Sequence, residues 1–452
     1  MKKVLIITTH FAPDRHVGAK RSTKFAKFLP ECGWQPVVLT KEVTCYHGID
    51  ETLNEDLPPD LPIYRVREWH PFRAGIRGKK TSLKNVGTAE LDRPTTRGWI
   101  SRGMGLFDSV LFYDYPWLLP AFFTGLRLLR QQKISLIFST SPNPEAHLIA
   151  LWLRIVTGRA WVADFRDPWT ALHNFYKPGH LKRAVDILCE KAIVATADHI
   201  TAISHILSRN LNKLQDSQKK DKVSVIYNGY DGEDFEETDH NQFRSQPFTI
   251  TYLGTWGSGR SPEPFLRALG RLLVIHPTLK DRIVVNFVGE VKFDPEMQKH
   301  IEQVISEENL DGVVKMIPFL PFRKGLDLLR QGDVSLLVVS PYHSRIGCLS
   351  SKLFEYLYAG KPILALALSE SEEAQIICKA GAGQVVVPDD ITAISRKIEE
   401  MYRAFQSGDA LCDVDFCGIK KYERRRQTYE LAAIFDSLTA MRRTPKADIR
   451  PA

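Results

Sequence analysis

The chain reads as an α/β protein made of two doubly wound parallel sheets, and three observations carry that reading. Apolar runs of about five to eight residues alternate with segments of helical spacing, the order that lays helices on both faces of parallel strands. The alternation stops in a polar, aperiodic stretch, Glu233 to Gln246 (EDFEETDHNQFRSQ), and then restarts with the same build. At 452 residues the chain also exceeds what one hydrophobic core ordinarily holds.

Taken in order, KVLIITT is the first strand, buried because Val4 to Ile7 are all apolar. The run is too short, and lacks the small-residue site, for a cleaved leader. Gly18 to Cys32 has helical spacing, and PVVLT is the next strand. Then come ISLIFSTS (Ile134 to Ser141), a helix from Pro144 to Val156, and the strand AWVADF (Ala160 to Phe165). A helix over about Leu181 to Ala197 leads to HITAIS and VSVIYNG. After the polar stretch the strands are FTITYLG, IVVNFVG, VVKMIPF, DVSLLVVS (Asp333 to Ser340), PILALAL and GQVVVP. Helices over about Pro262 to His276 and Pro295 to Glu308 lie between the first three. The expected domains are 1–238 and 245–417, with a final helix over 418–442 crossing back to the first.

Composition excludes several classes. With 44% hydrophobic and 25% charged residues the chain is globular, not disordered. Seven scattered cysteines without a CxxC pair suit reduced thiols and a cytoplasmic setting, not a disulfide framework or zinc site. The 13 histidines show no HExxH or other metal-ligand spacing, so no metal is expected, and neither a GxSxG elbow nor a Walker loop occurs. No run has the roughly 18 apolar residues of a membrane span. The net charge of +8 is concentrated between Arg65 and Arg102, where ten Lys or Arg meet three acidic residues among Trp69, Phe72 and Trp99. The aromatic, apolar segment Leu106 to Arg130 follows. These residues fit a solvated loop before a core helix, or a surface that rests on anionic lipid. Without a nucleic-acid motif, nucleic acid is not an expected partner.

The most informative stretch is SSKLFEYLYAGKPILALA, beginning at Ser350. Ser350 or Ser351 is a helix N-cap signal, and Gly360 with Pro362 a stop. Leu353, Phe354, Leu357 and Tyr358 make one apolar face, while Lys352 and Glu355 share a side of the first turn. Between two strands, such a helix directs its N-terminus and Lys352 at an anion, and Glu355 at a diol such as ribose. Taken alone, the same residues also fit a surface helix with a weak exposed ion pair.

Four other strand ends point the same way. In THFAPDRHVGAKR, Gly18 would let a backbone N–H approach a ligand, although a lone glycine turn is usually only a turn. ADFRDPWT places Asp164, Arg166 and Asp167 past a strand, either as a structural ion cluster or against an acceptor hydroxyl or donor phosphate. LGTWGSGR offers Gly254 in a permissive loop with Arg260 to meet a diphosphate, and VNFVGE ends on Gly289 beside the same crevice.

In their order, DFRDPW, ADHITAIS, VIYNGYDGEDF, TYLGTWGSGR and SSKLFEYLYAGKPILA resemble the retaining glycosyltransferases of family 4 along the length of the chain. The resemblance implies the GT-B fold, two Rossmann-like domains facing a central crevice. It also implies sugar transfer from a nucleotide-sugar without a metal, the donor held mainly by the second domain. Glu355 matches the second Glu of the family's E-x7-E motif, which holds the ribose, with Leu353 and Phe354 flanking it. The first Glu falls on Gly347, leaving the backbone of Cys348 and Leu349 to meet the sugar. Of the family's Arg and Lys diphosphate clamp, Thr255 stands at the first place and Arg260 at the second, with Lys352 supplying the missing charge. Arg166 replaces the acceptor-pocket His, with Asp167 beside it.

The expected function is therefore retaining transfer from a UDP- or GDP-linked sugar to a glycan or lipid-linked acceptor, in bacterial surface polysaccharide assembly. Asp164, Arg166, Asp167, Arg260 and Lys352 are the expected catalytic groups. Gly18, Gly254, Arg260, Gly289, Lys352, Leu353 and Glu355 are expected at the donor. No cofactor is expected, and an anionic membrane surface is a further expected partner. An epimerase of the same architecture, or a non-catalytic nucleotide-sugar binder, are the alternatives.

Overall fold

The structure is a computed structural model and describes residues 1–69, 115–215, 222–235, 247–257, 259–289 and 295–441. The basic stretch read over Arg65 to Arg102 falls mostly outside these residues, as do 236–246 of the polar stretch.

The N-terminal half runs β1 (Lys2–Thr8), α1 (Val17–Phe28), β2 (Trp34–Lys41), β3 (Ile63–Val66), α2 (Tyr115–Gln131), β4 (Leu136–Thr140), α3 (Glu145–Thr157) and β5 (Ala160–Phe165). It continues with α4 (His173–Tyr176), α5 (His180–Thr196), β6 (His199–Ala202), α6 (His205–Lys213) and β7 (Val223–Val225). The seven strands are parallel in the order β3-β2-β1-β4-β5-β6-β7, with Ile6 between Val38 and Phe138. Val4 to Ile7 are fully buried because helices cover both faces. The order reverses between β1 and β4, so a crevice opens at their carboxyl ends.

The C-terminal half repeats the plan with β8 (Phe248–Leu253), α7 (Glu263–Ile275), β9 (Ile283–Val288), α8 (Pro295–Glu307), β10 (Val314–Ile317), α9 (Phe322–Gln331) and β11 (Val334–Val338). Then follow α10 (Pro341–Ile346), α11 (Lys352–Ala359), β12 (Ile363–Leu366), α12 (Glu372–Lys379), β13 (Gly383–Val386), α13 (Ile391–Ser407), α14 (Phe416–Ile419) and α15 (Arg424–Met441). The order β10-β9-β8-β11-β12-β13 is again parallel and reverses between β8 and β11. Two doubly wound sheets thus face one crevice.

Helix α1 ends at Phe28 rather than Cys32, because Pro30 lies in a following 3-10 turn. The final helix is also broken. Glu423 is extended and bridges Tyr230; the Tyr230 N–H donates to the Tyr422 carbonyl (3.1 Å) and the Arg424 N–H to that of Tyr230 (2.8 Å). From there α15 lies on the N-terminal domain, with Leu431 and Phe435 buried among Val4, Phe25 and Trp34.

Charge and apolar packing join the domains. The Lys24 ammonium lies among buried Asp56, Asp231 and Asp234 (2.7, 2.8 and 2.5 Å), three carboxylates close enough together to hold a cation. Arg323 of α9 reaches Asp56 from the other domain (3.3 Å). Tyr230 stacks on Tyr358 with centroids 4.4 Å apart.

Candidate active site

The donor side is built on two glycine turns and one lysine. Gly254 follows β8 at φ +128°, and a Cβ there would stand 2.3 Å from the Lys352 ammonium. A Cβ on Gly289, after β9, would meet the Gly254 carbonyl at 2.6 Å. Only glycines let these two strand ends and Lys352 close together. The Lys352 ammonium donates to the Tyr252 hydroxyl (2.7 Å) and lies over its ring, which stacks on Trp256. Burial pushes the Lys352 pKa well below its ordinary value, with Arg260 and Lys20 adding to the effect and Glu355 opposing it. A bound anion would restore the charged form, which suits this pair of cations to a diphosphate. Arg260 closes its loop by donating from Nε to the Gly257 carbonyl (3.3 Å).

Helix α11 supplies the rest. Ser351 stands at its N-cap but makes no side-chain cap bond; the Phe354 N–H turns back to the Ser351 carbonyl (3.3 Å), and those of Lys352 and Leu353 are left for an anion. Lys352 and Glu355 diverge instead of pairing along the helix. Glu355, 5% exposed, accepts from Lys20 of α1 across the crevice (2.9 Å). Lys20 in turn lies 3.3 Å from the Phe322 ring centroid. The Leu353 side chain is fully buried in the core, so at the donor only its backbone is available.

Gly18 does not offer its N–H to a ligand as expected. That N–H donates to His16 Nδ1 (3.0 Å), whose side chain caps α1. The Gly18 carbonyl accepts from Arg166 Nη1 (2.5 Å), and the Ser141 carbonyl from the same nitrogen (3.3 Å). Arg166 is therefore a buried clamp on the β1–α1 turn, and burial lowers its pKa to about 10. It positions rather than meets a substrate.

Asp164 is likewise structural. It accepts from Arg21 at both oxygens (2.9 and 2.7 Å), from Thr140 (2.7 Å) and from Thr201 (2.6 Å), and is wholly inaccessible. Burial would raise its pKa, but Arg21 and the two hydroxyls hold it below the usual carboxylate range. A carboxylate so enclosed cannot orient an acceptor hydroxyl. Asp167 is placed to do so: it is half-buried and lies beside the Cys348 thiol and near Arg260.

The α10–α11 loop completes the site. Gly347, at the place of the family's first Glu, has φ +98° and packs on the N-terminal domain. Its carbonyl accepts from the Ser204 hydroxyl (2.7 Å). Below the loop, buried Glu373 accepts from the Ser344 hydroxyl (3.0 Å), while burial pushes its pKa up to about 7. The raised value favours the protonated fold, so this contribution is full below about pH 4.5 and fades as pH rises through about 7. At about 1.4 kcal/mol per unit the swing is about 3 kcal/mol. Glu373→Gln should remove it, and urea midpoints at pH 5 and pH 8 should differ less in the variant than in the wild type. An unchanged difference would contradict the assignment.

Sequence reasoning missed Lys20, Arg21, Tyr252 and Glu373. Lys20 and Arg21 stand inside the quoted β1–α1 segment, but their partners lie 335 and 143 residues away.

Comparison with known proteins agrees with this geometry. The family model described as Glycosyltransferase Family 4 matches residues 92–234, and that described as Glycosyl transferases group 1 matches 234–404. Together the two matches support a GT-B glycosyltransferase family for this chain. A D-inositol 3-phosphate glycosyltransferase of Nocardioides sp. is 26% identical over 196 residues, which is 41% of this chain and 42% of that protein. A second, from Catenulispora acidiphila, is 26% identical over 44% of this chain and 47% of its own. The chain thus matches less than half the length of these curated relatives. Sucrose-phosphate synthase from Thermosynechococcus elongatus superposes with a TM-score of 0.64 at 15% identity, over 98% of this chain and 100% of that one. Anabaena Alr3699/HepE, solved with UDP-glucose, gives 0.59 at 12% identity over 98% of each. At these identities the likeness is one of fold.

Proposed function

We propose that the protein is a retaining, metal-independent glycosyltransferase. It moves a sugar from a UDP- or GDP-linked donor to a glycan or lipid-linked acceptor in bacterial surface polysaccharide biosynthesis. The observation that carries this reading is the convergence of Arg260, Lys352 and the open N-terminus of α11 on one cradle, with Glu355 a turn further along the same helix.

In the reaction, the bond from the anomeric carbon to the diphosphate oxygen breaks as the acceptor oxygen bonds to the same face. The acceptor proton passes to the leaving phosphate. Arg260, Lys352 and the helix N–H groups stabilise charge that grows on the diphosphate as the bond loosens, where stabilisation accelerates the step most. The domains packed on either side exclude water from the reacting anomeric carbon.

Incubation with UDP- and GDP-sugars, with and without polysaccharide-type acceptors, tests the reading. Acceptor-dependent release of nucleoside diphosphate, and product NMR with the donor's anomeric configuration, is the expected result. Conversion of the donor sugar without acceptor would show an epimerase, and tight binding without turnover a binding protein.

We place the protein in the cytoplasm, resting peripherally on the membrane. No described helix is long and apolar enough to cross one. Support for the surface contact comes from α2, whose outer face exposes Leu119 (47%) and Phe123 (63%) beside Arg127 and Arg130. The protein should float with phosphatidylglycerol vesicles in a density gradient and not with neutral ones; no flotation with either would refute the contact.

A further inference from the structure

The loop that lacks its acidic residue leads to one further inference, which rests on the transferase reading above. We propose that Asp167, from the N-terminal domain, takes over recognition of the donor sugar's hydroxyls, the work the E-x7-E pattern would assign to position 347.

Position 347 cannot do that work itself. A Cβ there would lie 2.6 Å from the Leu207 backbone nitrogen, and Asn210 and Ser204 tie the flanking carbonyls of Ile346 and Gly347 to the other domain. The acid is absent because α6 occupies its space. The thiol of the very next residue, Cys348, lies beside the Asp167 carboxylate, which therefore stands against the loop where the missing group would have acted. Arg260 is close by on the other side.

The neighbouring acids are committed elsewhere. Glu372 accepts from the His205 N–H at both oxygens (3.1 Å each) and from the Tyr227 hydroxyl (2.7 Å). Glu373 holds Ser344, Glu355 is already assigned to the ribose, and Asp164 is enclosed by four donors. Asp167 alone among them accepts no hydrogen bond from a hydroxyl, N–H or ammonium group of the described residues and has only the weak donor of a thiol beside it. Burial leaves its pKa raised, the state of a carboxylate short of strong donors. Sugar hydroxyls are such donors and would displace the thiol. A site built on hydrogen bonds to substrate hydroxyls rejects analogues that lack them, so Asp167 would set which sugar is accepted.

The test is calorimetric binding of UDP and UDP-hexose, or GDP and GDP-hexose, to wild type, Asp167→Asn and Asp167→Ala, with donor and acceptor KM measured in parallel. We expect free nucleotide to bind both variants within about twofold of wild type, which also reports an intact fold. Affinity for the nucleotide-sugar should fall tenfold or more in Asp167→Ala and less in Asp167→Asn, with the donor KM rising accordingly. Unchanged nucleotide-sugar affinity with a raised acceptor KM would overturn the proposal and assign Asp167 to the acceptor. Equal loss of nucleotide and nucleotide-sugar would overturn it in favour of a structural role. Wild-type protein that binds no nucleotide would instead refute the transferase reading, and this proposal with it.

Discussion

Arg21→Ala is expected to destabilise the N-terminal domain by about 3–5 kcal/mol, the usual result of breaking a buried ion pair from one side. Arg21 is 1% exposed and Asp164 wholly buried, and the guanidinium also donates to the carbonyls of Ile226 (2.9 Å) and Tyr227 (2.6 Å). Without it, a carboxylate and two carbonyls lose donors in a place that water does not reach. Since whole domains are stable by about 5–15 kcal/mol, the loss is a large share of the total. Arg21→Lys keeps the charge but not the fork, and should recover only part of it. Urea titration followed by tryptophan fluorescence reads the effect, through buried Trp34 and Trp161 of that domain. A midpoint unchanged in Arg21→Ala would contradict the buried pair.

Gly347→Glu, the change that would restore the E-x7-E pattern, is expected to damage the protein rather than improve it. The left-handed backbone at φ +98° costs a non-glycine residue roughly 1–2 kcal/mol, and overpacking against Leu207 adds roughly 1–3 kcal/mol more. The strain falls on the contact between α6 and the α10–α11 loop, so the domains should separate more readily and the donor KM should rise. Limited proteolysis of the seam and donor kinetics would both register it. A variant with lower donor KM and wild-type stability would show that the site tolerates an acid there.

The contrast between these positions shows what the sequence could and could not tell. All the strands but β3, both sheets and the crevice followed from hydrophobic period and the restart after residue 246, because those are local patterns; β3 is only four residues, Ile63–Val66, and shows no such run. The placement of Arg260, Lys352 and Glu355 beside the crevice was legible too, since each stands at a fixed offset from a strand end or helix start. Asp164 and Arg166 were legible as a charged cluster, but not their duty, because the Arg21 that claims Asp164 lies on a distant helix. The Lys20–Glu355 contact and the Gly347–Leu207 contact exist only once two domains meet. Helices α6, α9, α10, α12 and α13 were not read, and the six residues of α10 are too few to show a period. Its capping signals, Ser340 before it and a left-handed Gly347 after it, were present in the sequence.

The central claim is a nucleotide-diphosphate site on α11, and calorimetric titration of UDP, GDP and ADP into wild type and Glu355→Ala tests it most directly. One nucleotide should bind in preference to the others. The substitution should weaken it by roughly 10- to 100-fold, the range of about 1.5–3 kcal/mol for hydrogen bonds to a charged group. Equal binding of that nucleotide to both proteins, or no binding to either, would contradict the assignment.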